Sequence, residues 1–175
     1  MRSWEGATGA LLGLFLASGA TGLVYETIWA RQLHLVFGTS QLAVCTVLAS
    51  FMAGLALGGF GAARWAGRVR RPLMVYGLME GFIGLYALVL PWLIKGVAPF
   101  YLAFFRAWEP SPALFGLFQL LLLGVLLLPP TVCMGATLPL LARFVTSRHE
   151  EAAFQVGRVY GANTLGAVLG TAATG

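Results

Sequence analysis

One carboxylate, one guanidinium and one imidazole stand close together at the end of a long apolar run. Glu26, Arg31 and His34 fall within GLVYETIWARQLHLVFG, residues 22–38, and the run before them begins near Ala7. Inserting an ionisable side chain into hydrocarbon costs on the order of 3 kcal/mol, so such a group faces a protein interior or a water-filled cavity. In an ideal helix Glu26 and Arg31 sit about 140° apart around the axis. That argues against a direct pair and predicts that Glu26 bonds across helices. Two chemistries fit it: a site for a cation or a proton, and a purely structural hydrogen bond between helices. Glu80 and Asn163 make a second polar set. Counted from helix starts near Leu73 and Val156, both lie ~10 Å into the core, which places them to pair. Glu26 lies ~28 Å along its own helix, too far away to reach Glu80.

The elements that must position these residues follow from composition. Of 175 residues, 59% are hydrophobic and only 10% charged, with a mean hydropathy of +0.84. That leaves too little polar surface to cover a soluble globule, so the fold class is all-α, a polytopic transmembrane helix bundle. The net charge of +5 sits mostly in short loops. It suits anionic lipid headgroups rather than nucleic acid. Cys45 and Cys133 lie inside apolar stretches with no CxxC spacing, and read as small buried hydrophobes. No metal, cofactor or catalytic residue is expected. The N-terminus, MRSWEGATGALLGLFLASGA, imitates a signal peptide, but its apolar character continues past Ala20 and marks a first span instead.

Five spans are expected, at about 7–36, 42–63, 73–94, 113–145 and 156–175, each near the ~20 residues a crossing needs or longer. The aromatic residues Tyr101, Phe104, Phe105 and Trp108 suggest a short interfacial helix within 96–112. Pro129, Pro130 and Pro139 should kink the fourth span, because each removes a backbone hydrogen bond. Arg64, Arg68, Arg70 and Arg71, followed by Pro72, close the second span. They read as a topology anchor that meets anionic lipid at ~1 kcal/mol per residue. With the N-terminus cytoplasmic, Arg2, these four, Arg143, Arg148 and Arg158 lie inside, and Lys95 and Arg106 outside, as the positive-inside rule requires of an inner-membrane protein. GxxxG pairs at Gly9/Gly13, Gly54/Gly58, Gly77/Gly81 and Gly166/Gly170 predict close helix crossings.

Five ordered blocks, SGATGLVYETIWARQL, VLASFMAGLALGG, GRVRRPL, LPPTVCMGATLPLLAR and GRVYGANTLGAVLGT, resemble the membrane domain of the fused major-facilitator/spermidine-synthase family. The likeness runs roughly from Ser18 to Gly170. It implies an incomplete major-facilitator-type six-helix half, wanting one more span to return the chain to the cytoplasm. These residues then look like a fragment or a short product. The resemblance also implies a cytoplasmic Rossmann-like partner domain of the aminopropyltransferase kind, which joins an aminopropyl group from decarboxylated S-adenosylmethionine to a diamine. No such soluble domain is present in these residues. The loop GGFGAARWAGRVRRP has the glycines and arginines of the facilitator gating motif, yet Gly67 stands where family members often carry Asp. Three roles follow as expectations. The chain tethers or supplies a synthase-like enzyme, or it transports a polyamine or another small cation, or it is a helical subunit of a larger membrane complex.

Overall fold

The computed structural model describes residues 2–38, 40–108, 110–146 and 152–175, with side chains described from residue 9 onward except at 152. Five helices follow one another: α1 (Arg2–Phe37), α2 (Gln41–Trp65), α3 (Pro72–Trp108), α4 (Pro112–Thr146) and α5 (Ala152–Thr174), with a 3-10 turn over Ala66–Arg68. Among the described residues there is no strand. Four helical stretches, Gly9–Phe37, Gln41–Arg68, Pro72–Trp108 and Pro112–Thr146, are long and apolar enough to cross a membrane. The protein is therefore a multi-pass, all-α membrane protein. In hydrocarbon a backbone must satisfy its own hydrogen bonds, and a helix does so within a single segment. At 23 residues α5 carries Gln155, Arg158 and Asn163 and falls outside that apolar set.

Local chemistry sets the helix ends. Gly38 adopts φ +89° and its N–H donates to the His34 carbonyl at 3.0 Å, a left-handed stop that glycine permits. Ser40 then caps α2, its hydroxyl accepting from the Ala43 N–H at 3.2 Å. Pro72 and Pro112 open α3 and α4, where a missing N–H has no cost. One boundary differs from the sequence reading. The segment expected as a separate interfacial helix over 96–112 continues α3 without a break to Trp108, despite Pro91 and Pro99 inside the helix. At 37 residues α3 is ~55 Å long, so part of it must lie beyond a ~30 Å hydrocarbon core or tilt strongly. Cys133 is half-buried, but Cys45 is exposed on α2, contrary to the expectation of two buried thiols. Its neighbours Leu42, Val44 and Leu48 are exposed too, and such an apolar face needs no protein cover in lipid.

The prolines of α4 do not end it; the helix runs unbroken from Pro112 to Thr146. Pro130 cannot donate to the Leu126 carbonyl one turn earlier, and a free carbonyl in a dry interior is costly. The Tyr86 hydroxyl of α3 donates to that same carbonyl at 2.9 Å. The defect that proline introduces thus becomes a bond between helices.

The most extensive helix contacts join α1 to α5 and α2 to α4. Both pairs run parallel: Gly19 and Ala20 meet Asn163 and Gly170, while Leu42 and Gly58 meet Gly116 and Val132. The crossings are backbone to backbone. A Cβ at Gly54 would overlap Thr131, one at Gly58 the Val132 carbonyl, and one at Gly135 the Leu55 carbonyl. On the other pair, Cβ atoms at Gly166 and Gly170 would overlap the Leu16 and Ala20 carbonyls. Two of the four GxxxG pairs therefore form seams. Gly9/Gly13 and Gly77/Gly81 meet nothing within 4 Å among the described residues and do not. Apolar packing gathers in two clusters, one around Trp29, Leu33, Phe51, Leu90 and Leu127, the other around Phe15, Tyr76, Leu141 and Val159.

Two outcomes are expected from purified protein unfolded in detergent. Gly58→Ala should cost about 1–3 kcal/mol through overpacking, and Gly77→Ala should leave stability unchanged or slightly raised. Tyr86→Phe should cost about 1 kcal/mol. In a Pro130→Ala background, where the Leu126 carbonyl regains its helical donor, the same change should cost close to nothing.

Candidate functional site

A cavity of about 240 Å³ lies between the two apolar clusters, with Phe15 of one and Phe51 of the other in its wall. From α1 it receives Ser18, Gly19, Gly22, Leu23 and Glu26, which recur at helical spacing along one face. Leu55 of α2, Met134, Gly135 and Thr137 of α4, and Asn163 of α5 complete most of the lining. Gly19 and Gly135 are also seam residues, so the close crossings that hold the helix pairs reach the cavity wall. Four of the five helices, α1, α2, α4 and α5, thus contribute to it.

Glu26 is half-buried in this wall and makes no hydrogen bond or ion pair among the described residues. The cross-helix bond expected of it does not form, because the groups opposite it, Leu55 and Met134 among them, are largely apolar. Asn163 shares the cavity and lies against Gly19, seven residues before Glu26, which places the two about 10 Å apart along α1. Its side chain makes no hydrogen bond among the described residues either. Glu80 has a different environment. The Ser18 hydroxyl donates to its Oε1 at 2.6 Å, and Tyr76, one turn earlier on α3, sits beside both. Glu80 and Asn163 thus reach α1 at adjacent residues, as the depth count requires, but the expected pair between them is absent because Ser18 takes the carboxylate.

The other two members of the predicted set lie apart. Arg31 is exposed and donates through Nη2 to the Thr174 carbonyl at 3.3 Å. A cation at a helix C-terminus is favoured by the dipole there. His34 keeps Nε2 buried with no hydrogen-bond partner among the described residues, and neither Arg31 nor His34 lines the cavity. Among the described residues no group of His, Cys, Asp or Glu could hold a metal ion. Of the arginine anchor, Arg64 stacks on the Phe60 ring at 3.3 Å and Arg68 ends the 3-10 turn, while Arg70 and Arg71 lie against α3.

Sequence reasoning missed Ser18, Tyr76 and Thr137. Ser18 stands eight residues before Glu26, two turns down the same face, and that spacing was the available signal. Thr137 offers none, since its hydroxyl donates to the Met134 carbonyl at 2.7 Å within its own helix. No family model, curated protein or solved structure matches this chain.

The two carboxylates should separate in stability measurements. Ser18→Ala should cost about 1–3 kcal/mol by removing the hydroxyl that donates to the Glu80 carboxyl. Glu26→Gln should cost nothing measurable, since no partner is lost. Thermal unfolding in one detergent compares them directly.

Proposed function

We propose that the chain is the membrane domain of a spermidine-synthase-like protein, and that it binds a small cationic amine in the Glu26 cavity, supplying or exchanging it for a cytoplasmic aminopropyltransferase-like partner. One observation carries the reading: Glu26 faces a cavity within the span with no described partner to neutralise it. An ammonium 4 Å from an unneutralised carboxylate gains about 4 kcal/mol at an effective dielectric of 20, and more as water is excluded. The Asn163 side chain supplies an acceptor further along the same cavity. A linear amine with donors at both ends is complementary to that arrangement, its apolar middle lying against Leu23 and Met134. The same reading places the protein in the inner membrane with a cytoplasmic N-terminus, supported by the arginines between α2 and α3.

Membership of the fused major-facilitator/spermidine-synthase family rests on the five sequence blocks. A second role, as a helical subunit of a larger complex, is favoured by a separate feature. An apolar groove between α2 and α4, lined by Ala49, Ala53 and Gly124, holds the buried Ser50 hydroxyl, which has no partner among the described residues.

Binding of labelled putrescine and spermidine to the full chain in nanodiscs tests the amine site. The unaltered protein should bind saturably, Glu26→Gln should weaken binding at least tenfold, and Glu80→Gln should stay within about twofold. An absence of saturable binding, or equal binding after Glu26→Gln, overturns the amine site.

A further inference from the structure

The arginine-rich loop does not end its work at topology. Arg70 and Arg71, just before α3, and Arg143, in the last turn of α4, line one recess of about 360 Å³. Val69, Pro72, Leu73 and Met74 form much of the rest of its wall. The recess therefore gathers cations from two elements that are far apart in sequence, and it leaves Arg64 and Arg68 outside.

Among the described residues its charges have no counter-ion. Glu26 and Glu80, the acids whose side chains are described, lie along the membrane-spanning helices, and among the described residues no arginine of the recess has an ion pair. The α3 N-terminus adds to the imbalance. The Met74 and Val75 N–H groups donate to the Arg71 carbonyl, but the first turn holds no acid and its cap residue is an arginine. Arg70 and Arg71 stand beside the positive end of the α3 dipole, and although the C-terminus of α4 favours Arg143, the three guanidiniums still repel one another and together attract an anion. Guanidinium binds phosphate oxygens in a planar, two-point geometry that an ammonium cannot reproduce.

The recess is also two-faced. Leu73 and Met74 are exposed on the side where α3 enters its apolar span, directly below the arginines in sequence. A soluble anion would use only the charged face, whereas a phospholipid would use both.

We infer that Arg70, Arg71 and Arg143 hold the phosphate of an anionic phospholipid whose acyl chain lies along Leu73 and Met74. This site is independent of the amine cavity and survives the failure of that reading. It differs from diffuse attraction of a basic loop to lipid, because it needs Arg143 and does not need Arg64 or Arg68.

Native mass spectrometry of the full chain in detergent, with phosphatidylglycerol added, reads the retained lipid directly. The expected result is one tightly held lipid, lost roughly tenfold or more in Arg71→Gln/Arg143→Gln and retained in Arg64→Gln/Arg68→Gln, which removes the same charge. Arg143→Lys, which keeps charge and loses the two-point geometry, should weaken retention by several fold. Equal loss in both double variants, or none in Arg143→Lys, overturns the site in favour of diffuse attraction. Displacement of the lipid by an equal concentration of inorganic phosphate overturns the lipid assignment and gives the recess to free phosphate.

Discussion

Close approach of bare backbone holds this molecule together. Between apolar helices in lipid there is no hydrophobic gain from association, so contact must come from packing at short range. Glycine supplies it at Gly54, Gly58 and Gly135 between α2 and α4, and at Gly19, Gly166 and Gly170 between α1 and α5. A methyl group at any of these positions would meet a neighbour's backbone or side-chain oxygen. The parallel sense of both pairs, their register and the placement of the cavity all depend on those contacts. Gly19 and Gly135 belong to seam and cavity alike, so the width of one fixes the wall of the other.

Much of the architecture was legible in the residues. The break between the first two expected spans, 7–36 and 42–63, is the turn that Gly38 and Ser40 make in the structure, and the apolar runs gave the long helices. Glycine spacing named the motifs without choosing among them. A GxxxG pair places two small residues on one face, but which face meets a neighbour is set by the whole bundle. Thus Gly166/Gly170 crosses α1, while Gly77/Gly81 points at nothing. The length of α3 was hidden for a related reason. The aromatic stretch after residue 95 reads as a separate interfacial helix, yet α3 carries Lys95 within it and absorbs Pro91 and Pro99, since a helix can hold a cation at the membrane surface and a proline wherever its freed carbonyl is tolerated.

The candidate site was half legible. Counting residues by depth put Glu80 and Asn163 at one level and Glu26 well apart from them, and the contacts with Ser18 and Gly19 agree. Partners could not be counted in the same way. Serine is unremarkable in a membrane helix, and nothing in the spacing alone says that Ser18 takes Glu80 and leaves Asn163 to the cavity. Arg31 and His34 looked like companions of Glu26 because they are near in sequence. The helix turns Arg31 about 140° away from Glu26, toward the end of α5, and carries His34 two turns further along, where its Nε2 is buried beyond the cavity lining.

The pairing of helices has a mechanical consequence. Each parallel pair is joined along a seam where neither backbone can advance further, so each behaves as a stiff unit. Contacts between the units, α1 with α2 and α4 with α5, are much sparser. The cavity lies where the units face each other. Displacing one pair against the other therefore changes the cavity's volume before it disturbs either seam, and the softest direction of the bundle is the one that widens or narrows the space around Glu26.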